Sequence, residues 1–344
     1  MKILIIGGTR FLGYHIAKRL LADGHDLTLF NRGKTIDDLG EKVRRIHGDR
    51  YNSKAFSERL SGEKFDAVVD MIAFKTEDSQ TAVETFMGNV GHFIHISTAA
   101  VYIVTQDFPC PIREEDFNRP LYSKPEANDG WWSYGFHKRE CENVLREAFE
   151  RHGFPVTMFR LPIVMGERDY SLRAYSYFLR ILDGKPLILP DGGLNVSTHI
   201  YQDDIARTIS SNLLNPSSLG QAFNLAQPEI LTLRTFVLKS SEIMNKKIEI
   251  VEIPSAILEK AGLGISFSPF SMRRPFVLDI QKARRELSFS ATPFDIWVGK
   301  TIRWFVEDYD GEPPENYNSR EKENEIVKKY KQSVETLTAR NNSG

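Results

Sequence analysis

The first half of the chain alternates short apolar runs with amphipathic stretches of helical period. Strands are predicted at Ile3–Ile6, Asp26–Phe30, Val43–His47, Ala67–Met71, His92–Ser97 and Val156–Phe159, and helices at Phe11–Asp23, Asp78–Met87 and Glu140–His152. Near-continuous apolar strands separated by helices are typical of a parallel sheet with both faces covered. The pattern therefore predicts an α/β fold with a doubly wound parallel sheet.

Turn-forming residues become frequent from Gly166 onward, and they indicate a smaller second lobe. The predicted division places 1–165 in the first domain, with 196–226 returning to it. The second lobe comprises 166–195 and 227–312, and a charged helical tail covers 313–344. The alternation of charges over Arg320–Thr336 predicts a solvated helix within that tail.

Composition narrows the classes of partner. The chain has 45 Lys+Arg and 46 Asp+Glu, a net charge of -1, so no general attraction to nucleic acid or to an anionic membrane is expected. Cys110 and Cys141 provide neither a disulfide framework nor the spacing of a zinc site, so no metal is expected. The sequence shows no secretory leader and no membrane-spanning run, which favours a cytoplasmic protein.

A glycine-rich turn joins the first strand to the first helix. Its sequence is Gly7-Gly8-Thr9-Arg10-Phe11-Leu12-Gly13. Backbone amides at the start of a helix attract a pyrophosphate, and glycines allow its close approach. The turn and its strand–turn–helix setting therefore predict a dinucleotide site. Arg10 replaces the usual middle glycine, with its side chain directed either toward phosphate or toward a neighbouring strand.

The end of the second strand carries the signal for cofactor choice. NAD-binding chains usually place an acidic residue about 20 residues past the glycines, where it holds the adenosine ribose. Here Asn31 and Arg32 occupy this place, which favours NADP(H) over NAD(H), although Arg32 is also interpretable as a surface cation. Asp49 is placed either to bind the adenine amine or to act as a turn or cap residue.

A hydroxyl, a phenol and an ammonium form the candidate catalytic set. Tyr134 and Lys138 are four residues apart, which places them on one face of a helix. A nearby ammonium favours the phenolate form of a tyrosine, which then acts as acid or base. Thr98 ends the fifth strand at the carboxyl edge of the sheet, where ligands bind in folds of this kind. The alternative is that Thr98 only begins a turn.

Three segments in this order, Gly7–Gly13, Ser97–Tyr102 and Tyr134–Lys138, resemble the extended short-chain dehydrogenase/reductase family, in particular its NAD-dependent epimerase/dehydratase group. Further matches at Arg160–Pro162, His199–Ala206 and Asp279–Ala283 extend the resemblance over roughly residues 1–310. It implies a Rossmann fold with a C-terminal substrate lobe, and a homodimer. It also implies that Tyr134 is the acid/base, assisted by Thr98 and by Lys138 on the nicotinamide ribose. The same resemblance implies that Leu161 and Pro162 lie near the nicotinamide and that Met71-Ile72-Ala73, after the fourth strand, lines the cofactor.

The resemblance leaves the substrate open. Relatives that bind nucleotide sugars usually carry Asn and Arg at the places of Ile163 and Ser197. An anionic, sugar-like substrate remains the expectation, with Trp132 and the arginines Arg168, Arg173, Arg273 and Arg274 as candidate contacts. Dehydratases of this group usually carry acidic residues directly after the catalytic Ser/Thr, so Ala99 and Ala100 after Thr98 argue against dehydration. Epimerisation is favoured over reduction of a small carbonyl compound by NADPH because it is the more frequent activity in the family.

The glycine-rich turn is also similar to that of a divergent branch with plastid RNA-associated members. A catalytically silent RNA-binding or scaffold protein is therefore the alternative hypothesis. The complete Thr98, Tyr134 and Lys138 set and the absence of net positive charge oppose it.

Overall fold

The computed structural model describes residues 1–125, 130–264, 267–271 and 274–341. Contacts within the chain divide it into two units. The first contains Met1–Met165, Thr198–Pro228 and Val277–Thr292, and the second contains Gly166–Ser197, Glu229–Phe276 and Pro293–Gly344. Residues 277–292 thus belong with the first unit, whereas the sequence analysis assigns them to the second lobe. The binding roles of the two units stay predictions.

The first unit is built on a parallel sheet. Elements are numbered along the chain, and in the described residues seven strands pair in the order β11-β6-β5-β4-β1-β2-β3. Their bounds are β1 Lys2–Ile6, β2 Asp26–Asn31, β3 Val43–His47, β4 Phe65–Asp70, β5 Val90–Thr98, β6 Val156–Leu161 and β11 Gln221–Asn224. Two further short strands, β7 Ile163–Met165 and β10 His199–Tyr201, pair with each other in parallel. The predicted doubly wound parallel sheet is confirmed.

Two helix layers follow from the direction of the crossovers. The helices of the first unit are α1 Phe11–Ala22, α2 Ser53–Leu60, α3 Thr76–Phe86, α4 Ala100–Ile103, α5 Gly130–His152, α7 Gln202–Ser211 and α10 Gln281–Leu287. Strand order runs outward from β1 in one direction and from β4 in the other, so right-handed crossovers place α1 and α5 on opposite faces. Consistent with this, α1 packs against α7, and α3 packs against α5 and α2.

A buried ion pair ties α5 to the sheet. The Glu142 carboxylate is fully buried and accepts hydrogen bonds from Arg160 at 2.6 Å and from Ser97 at 2.5 Å. Arg160 also donates to the Tyr102 hydroxyl at 2.8 Å, and that hydroxyl donates to Asn224 at 2.7 Å. Burial alone would raise the pKa of Glu142, but Arg160 and Ser97 outweigh it and hold the pKa below its ordinary value. The network joins β5, β6, β11 and α5.

Residues 277–292 are joined to the first unit by specific hydrogen bonds. The Ile112 amide donates to the Val277 carbonyl at 2.7 Å, and the Asp279 amide donates back to the Ile112 carbonyl at 2.8 Å. At the other end, Thr292 donates to the Asp204 carboxylate through its amide at 2.8 Å and its hydroxyl at 2.6 Å. Because Asp204 is fully buried, these bonds supply partners that a buried carboxylate requires.

The second unit contains short strand pairs and its own core. Its elements are α6 Arg173–Leu182, β8 Leu187–Pro190, β9 Val196–Ser197, β12 Leu231–Thr232, α8 Leu233–Ile243, β13 Ile250–Ile253, α9 Ser255–Lys260, α11 Phe294–Arg303 and α12 Arg320–Asn341. Strand β8 pairs in parallel with β13, and β9 pairs antiparallel with β12. Ile188, Ile253, Leu258 and Val327 are among the residues of one core cluster.

The tail helix α12 is less solvated than its charges suggest. Glu323 is fully buried and accepts from Arg180 of α6 at 2.6 Å. Arg320 is 5% exposed and donates to Asp183 at 2.6 Å. The prediction of a plainly solvated helix is therefore wrong for its first two turns, because charged residues there pair with residues of α6 and of the turn after it. Within the described residues, no helix combines the length and the apolar character needed to span a membrane.

The buried pair of α5 gives a stability prediction with a control on the same helix. Glu142→Ala leaves the Arg160 guanidinium buried without its counter-ion, and we expect a loss of about 3–5 kcal/mol in the free energy of unfolding. Glu147 pairs with Arg151 at 3.1 Å, but both side chains are mostly exposed. Glu147→Ala should change the free energy by about 0.5 kcal/mol or less. Urea denaturation measures both, and equal effects would contradict this interpretation.

Candidate active site

The carboxyl ends of β1 and β4 form the centre of the candidate site. Strand order reverses between these two neighbouring strands, and doubly wound sheets bind ligands at such a reversal. The Gly7 amide donates to the Phe30 carbonyl at 2.9 Å, and the Met71 amide donates to the Ile6 carbonyl at 3.1 Å. A methyl group placed on Gly7 would lie 3.3 Å from the Met71 Cβ. The glycine-rich turn and the Met71–Ala73 segment are thus in contact, as the sequence predicts.

Helix α1 begins directly against the turn. A Cβ on Gly13 would lie 2.8 Å from the Gly8 Cα and 2.9 Å from its nitrogen, so helix and turn approach at backbone distance. Arg10 is exposed and occupies the position before the helix without capping it through its side chain, and the first turn contains no acidic residue. Thr9 and Phe11 are partly buried in this turn, and Leu12 is buried. The helix end therefore presents backbone to an anion, which fits a pyrophosphate.

The candidate contacts for the adenosine end lie after β2 and β3. The Gly48 amide donates to the Asn31 carbonyl at 2.9 Å, which brings Asp49 beside Asn31. The Asn31 side chain accepts from the Gly33 amide at 2.8 Å, and the Asp49 side chain accepts from the Tyr51 amide at 3.0 Å. Both side chains thus stabilise their own turns, while Arg32 is exposed.

The segment after β4 connects the turn to the candidate catalytic residues. Lys138 donates to the Ala73 carbonyl at 2.9 Å. The ring of Phe74, the next residue, lies 6.3 Å from the ring of Tyr134 between centroids and 5.5 Å from the Lys138 ammonium. The segment from Met71 to Phe74 therefore contacts the glycine-rich turn and also both candidate catalytic residues of α5.

The Lys138 ammonium is enclosed by the protein. The residue is 2% exposed, and its Nζ also donates to the Ile96 carbonyl at 2.7 Å and lies 3.3 Å from His95 Nε2. Burial lowers the pKa of Lys138 from its ordinary value, because the charged form loses solvation. Nearby acidic groups, Asp70 and Glu142 among them, act in the opposite direction.

Tyr134 lies one turn before Lys138 and is 36% exposed. A Cβ on Gly135 would lie 2.4 Å from the Ala100 carbonyl oxygen, so α5 touches the chain two residues beyond Thr98. Lys138 of the same helix contacts Ile96, two residues before Thr98. Thr98 is thus placed between two contacts with the helix that carries Tyr134, and its hydroxyl accepts from the Ala100 amide at 3.2 Å. The three candidate catalytic residues lie on elements that are in direct contact.

The neighbouring strand brings Leu161 and Pro162 to the same edge. Thr98 pairs with Leu161 in the sheet, and the Ala99 amide donates to the Leu161 carbonyl at 2.8 Å. Leu161 is buried, and Pro162 is partly buried at the end of β6. Both residues therefore lie beside Thr98, and their place near a nicotinamide stays a prediction.

The candidate substrate contacts are distributed over both units of the chain. Trp132 is partly buried and stacks on Phe136 with ring centroids 4.8 Å apart, so it packs within its own helix. The arginines Arg168, Arg173 and Arg274 belong to the second unit, and Arg273 lies outside the described residues. Arg173 donates to the Ser171 hydroxyl at 2.9 Å, and Arg274 is exposed.

The second unit contains a cavity of about 380 Å³. Its described lining is both apolar and polar, with Leu194, Leu233, Leu258 and Phe270 among the apolar residues and Asp191 and Glu259 among the polar ones.

Two residues near the site were not predicted. Phe74 directly follows the Met71–Ala73 segment, and the large aromatic ring at that place was a usable signal. His95 is a fully buried polar residue of β5, and a buried polar side chain usually marks a specific contact. Cys141 lies one turn after Lys138, and burial raises the pKa of its thiol to about 11. No catalytic role is assigned to this thiol.

The chain matches the model of the NAD dependent epimerase/dehydratase family over residues 3–226. A chloroplast stem-loop binding protein of 41 kDa from Arabidopsis thaliana is 28% identical over 245 residues, covering 67% of this chain and 60% of that protein. A 2'-dehydrokanamycin reductase from Streptomyces kanamyceticus is 23% identical, covering 74% and 70% of the two chains.

The fold is also similar to a solved UDP-glucose 4-epimerase from Thermotoga maritima. The TM-score is 0.70 at 18% identity, and the match covers 89% of this chain and 99% of that one. From the match to its model, this chain belongs to the NAD dependent epimerase/dehydratase family. The prediction of an enzyme of the extended short-chain dehydrogenase/reductase type is confirmed at this level.

The contact between Gly13 and Gly8 generates a test of the turn. In Gly13→Ala the new methyl group meets backbone, so we expect a loss of about 1–3 kcal/mol in the free energy of unfolding. Gly299 in α11 is the matched control, because a Cβ there has only an ordinary contact at 3.9 Å. Gly299→Ala should stabilise by up to about 1 kcal/mol through helix propensity. Urea denaturation distinguishes the two, and a neutral Gly13→Ala would show that helix and turn are not closely packed.

Proposed function

We propose that the protein is an NAD(P)-dependent epimerase or oxidoreductase that acts on a carbinol of a sugar or nucleotide sugar. One observation carries the proposal: the segment after β4 contacts the glycine-rich turn at Gly7 and also contacts Tyr134 and Lys138. A dinucleotide seated on the turn would therefore have its reactive end near the phenol. Family membership and the similarity to a UDP-glucose 4-epimerase support the same reaction class.

In this proposal each residue has a distinct task. A bound nicotinamide would supply the acceptor and donor of a hydride. Tyr134 takes the proton of the substrate hydroxyl as the carbinol carbon is oxidised, and it returns the proton when the carbonyl is reduced. Thr98 donates a hydrogen bond to the same oxygen. Lys138 supplies the positive charge that favours the phenolate, and it binds the nicotinamide ribose.

Residues of the candidate site also indicate the preferred cofactor and the type of reaction. Arg32 is exposed where a 2′-phosphate would lie and Asn31 removes the acidic residue, so we propose NADP(H) as the preferred cofactor. Epimerisation is favoured over dehydration because Ala99 and Ala100 follow Thr98. We further propose a cytoplasmic homodimer. The similarity to 2'-dehydrokanamycin reductase supports reduction of a small carbonyl compound as an alternative.

A second candidate function is RNA binding without catalysis. The similarity to a chloroplast stem-loop binding protein favours it. The net charge of -1 opposes it, because non-specific RNA affinity depends on cationic side chains. Binding of a stem-loop RNA that survives added NADPH, and that is unchanged by substitution of Tyr134 or Lys138, would support this candidate over the enzyme.

Tyr134→Phe tests the enzymatic proposal. The variant loses the proton donor, so turnover should fall by at least about 100-fold while cofactor affinity stays within about threefold. UDP-hexoses and dTDP-hexoses with NAD(P)+, and ketones with NADPH, are the probes, followed by chromatography and by absorbance of the reduced cofactor. Tyr330→Phe in α12 is the control and should retain full activity. Undiminished turnover in Tyr134→Phe would remove Tyr134 from the mechanism.

Arg32→Ala tests the cofactor preference. A guanidinium paired with a 2′-phosphate contributes on the order of 1–3 kcal/mol, so the variant should bind NADPH at least about tenfold more weakly and NADH almost unchanged. Lys34→Ala removes an exposed cation from the same loop and should alter neither affinity. Fluorescence titration measures the NADPH and NADH affinities of the unmodified protein and of both variants. Tighter binding of NADH than of NADPH by the unmodified protein would contradict the preference.

A further inference from the structure

The three protons of the Lys138 ammonium are all directed at the protein. Their acceptors are the Ala73 carbonyl at 2.9 Å, the Ile96 carbonyl at 2.7 Å and His95 Nε2 at 3.3 Å. An ammonium has three donors and no acceptor. With the residue 2% exposed, no donor remains for a ribose hydroxyl unless one of these contacts is given up.

His95 is the contact that differs from the other two. The two carbonyls belong to the backbone beside β4 and in β5, so their positions are fixed by the sheet. Of the three acceptors, His95 Nε2 lies farthest from the Lys138 ammonium, and it belongs to a side chain. Because an ammonium only donates, Nε2 must accept, and the ring proton is then on Nδ1. In the part of the chain that the structure describes, Nδ1 has no hydrogen-bond partner, and the residue is 0% exposed.

The surroundings keep His95 neutral. Burial lowers the pKa of His95 well below its ordinary value, and Lys138 and Arg50 lower it further because both are cations. Arg50 donates to the buried Asp70 at 3.2 Å and to the Asp78 carbonyl. The groups that oppose the effect of burial on the pKa of Lys138 are Cys141 and Glu142 of its own helix, together with Asp70 and Asp78. The imidazole is therefore available as a hydrogen-bond acceptor for the ammonium.

We propose that His95 is a positioning residue for Lys138: it accepts the third ammonium proton in the absence of cofactor, and a ribose hydroxyl of the bound dinucleotide replaces it. The inference rests on the proposed function, because it assumes that Lys138 contacts the ribose. Without the imidazole acceptor, one buried N–H of Lys138 would lack a partner until the dinucleotide arrives. Loss of the acceptor should therefore strengthen dinucleotide binding, whereas a merely structural role predicts that it weakens.

The experiment is calorimetric titration of the full chain with NADH and NADPH. His95→Phe keeps a flat ring without an acceptor, and it should bind both dinucleotides roughly tenfold more tightly, the order expected for one hydrogen bond to a charged group. His95→Gln restores an acceptor and should stay within about twofold of the unmodified protein. In a Lys138→Met background, His95→Phe should have no effect, because no ammonium remains to be partnered.

These variants distinguish failure of the positioning role of His95 from failure of the ribose contact of Lys138. Unchanged binding in Lys138→Met would overturn the ribose contact and with it the proposed role of that lysine. If Lys138→Met weakens binding but His95→Phe leaves it equal or weaker, the positioning role fails and the proposed function stands.

A second measurement uses the unmodified protein in case His95→Phe does not fold. The ¹⁵N resonance of His95 Nε2, assigned by its absence in His95→Gln, should shift toward the value of an imidazole nitrogen without a donor when NADH is added. An unchanged shift at saturation would overturn the proposal.

Discussion

The attachment of α5 to the ends of β4 and β5 is the constraint on which the candidate site depends. One buried ammonium bridges the Ala73 and Ile96 carbonyls, and the missing side chain of Gly135 lets the helix touch the backbone at Ala100. One turn further along, Glu142 joins the helix to Ser97 and Arg160. Three successive turns of one helix are therefore fixed to the sheet, and the position of the Tyr134 backbone follows from them.

This attachment explains how a partly exposed phenol can have a defined position. The Tyr134 side chain is partly exposed to solvent, and its ring contacts Phe74. The rigidity comes from its neighbours in the helix, each of which is held by a buried polar contact or by close backbone packing. A functional group on such a helix keeps its geometry while its own side chain stays accessible to a substrate.

Much of this arrangement was predictable because it depends on local patterns. The apolar run Ile3–Ile6, the glycines after it and the four-residue spacing of Tyr134 and Lys138 each belong to one short segment, and each predicted its element. The predicted helix over Glu140–His152 was extended back to Tyr134 by the Tyr134–Lys138 spacing, whereas α5 begins at Gly130, because the aromatic residues before Tyr134 do not show a clear helical period. The parallel sheet followed from the alternation of strands and helices alone.

The remaining features depend on partners distant in sequence, and no local pattern identifies them. His95 is one of several polar residues in its strand, and its contact with Lys138 spans 43 positions. Glu323 and Arg320 read as part of a charged helix, yet their partners Arg180 and Asp183 lie more than 130 positions earlier. A charge pattern indicates that a residue is able to form an ion pair. Only the fold shows whether that ion pair is buried.

The return of residues 277–292 to the first unit has a consequence for how that unit is delimited. The family match ends at residue 226, but the hydrogen bonds of Ile112 and of the buried Asp204 are completed by Val277, Asp279 and Thr292. A fragment cut at 226 would contain every strand of the main sheet and still leave Asp204 without three of its donors, the Gln227 side-chain amide and the amide and hydroxyl of Thr292. The smallest self-sufficient version of this unit is therefore discontinuous in sequence, and it requires either the intervening 229–276 segment or a linker that replaces it.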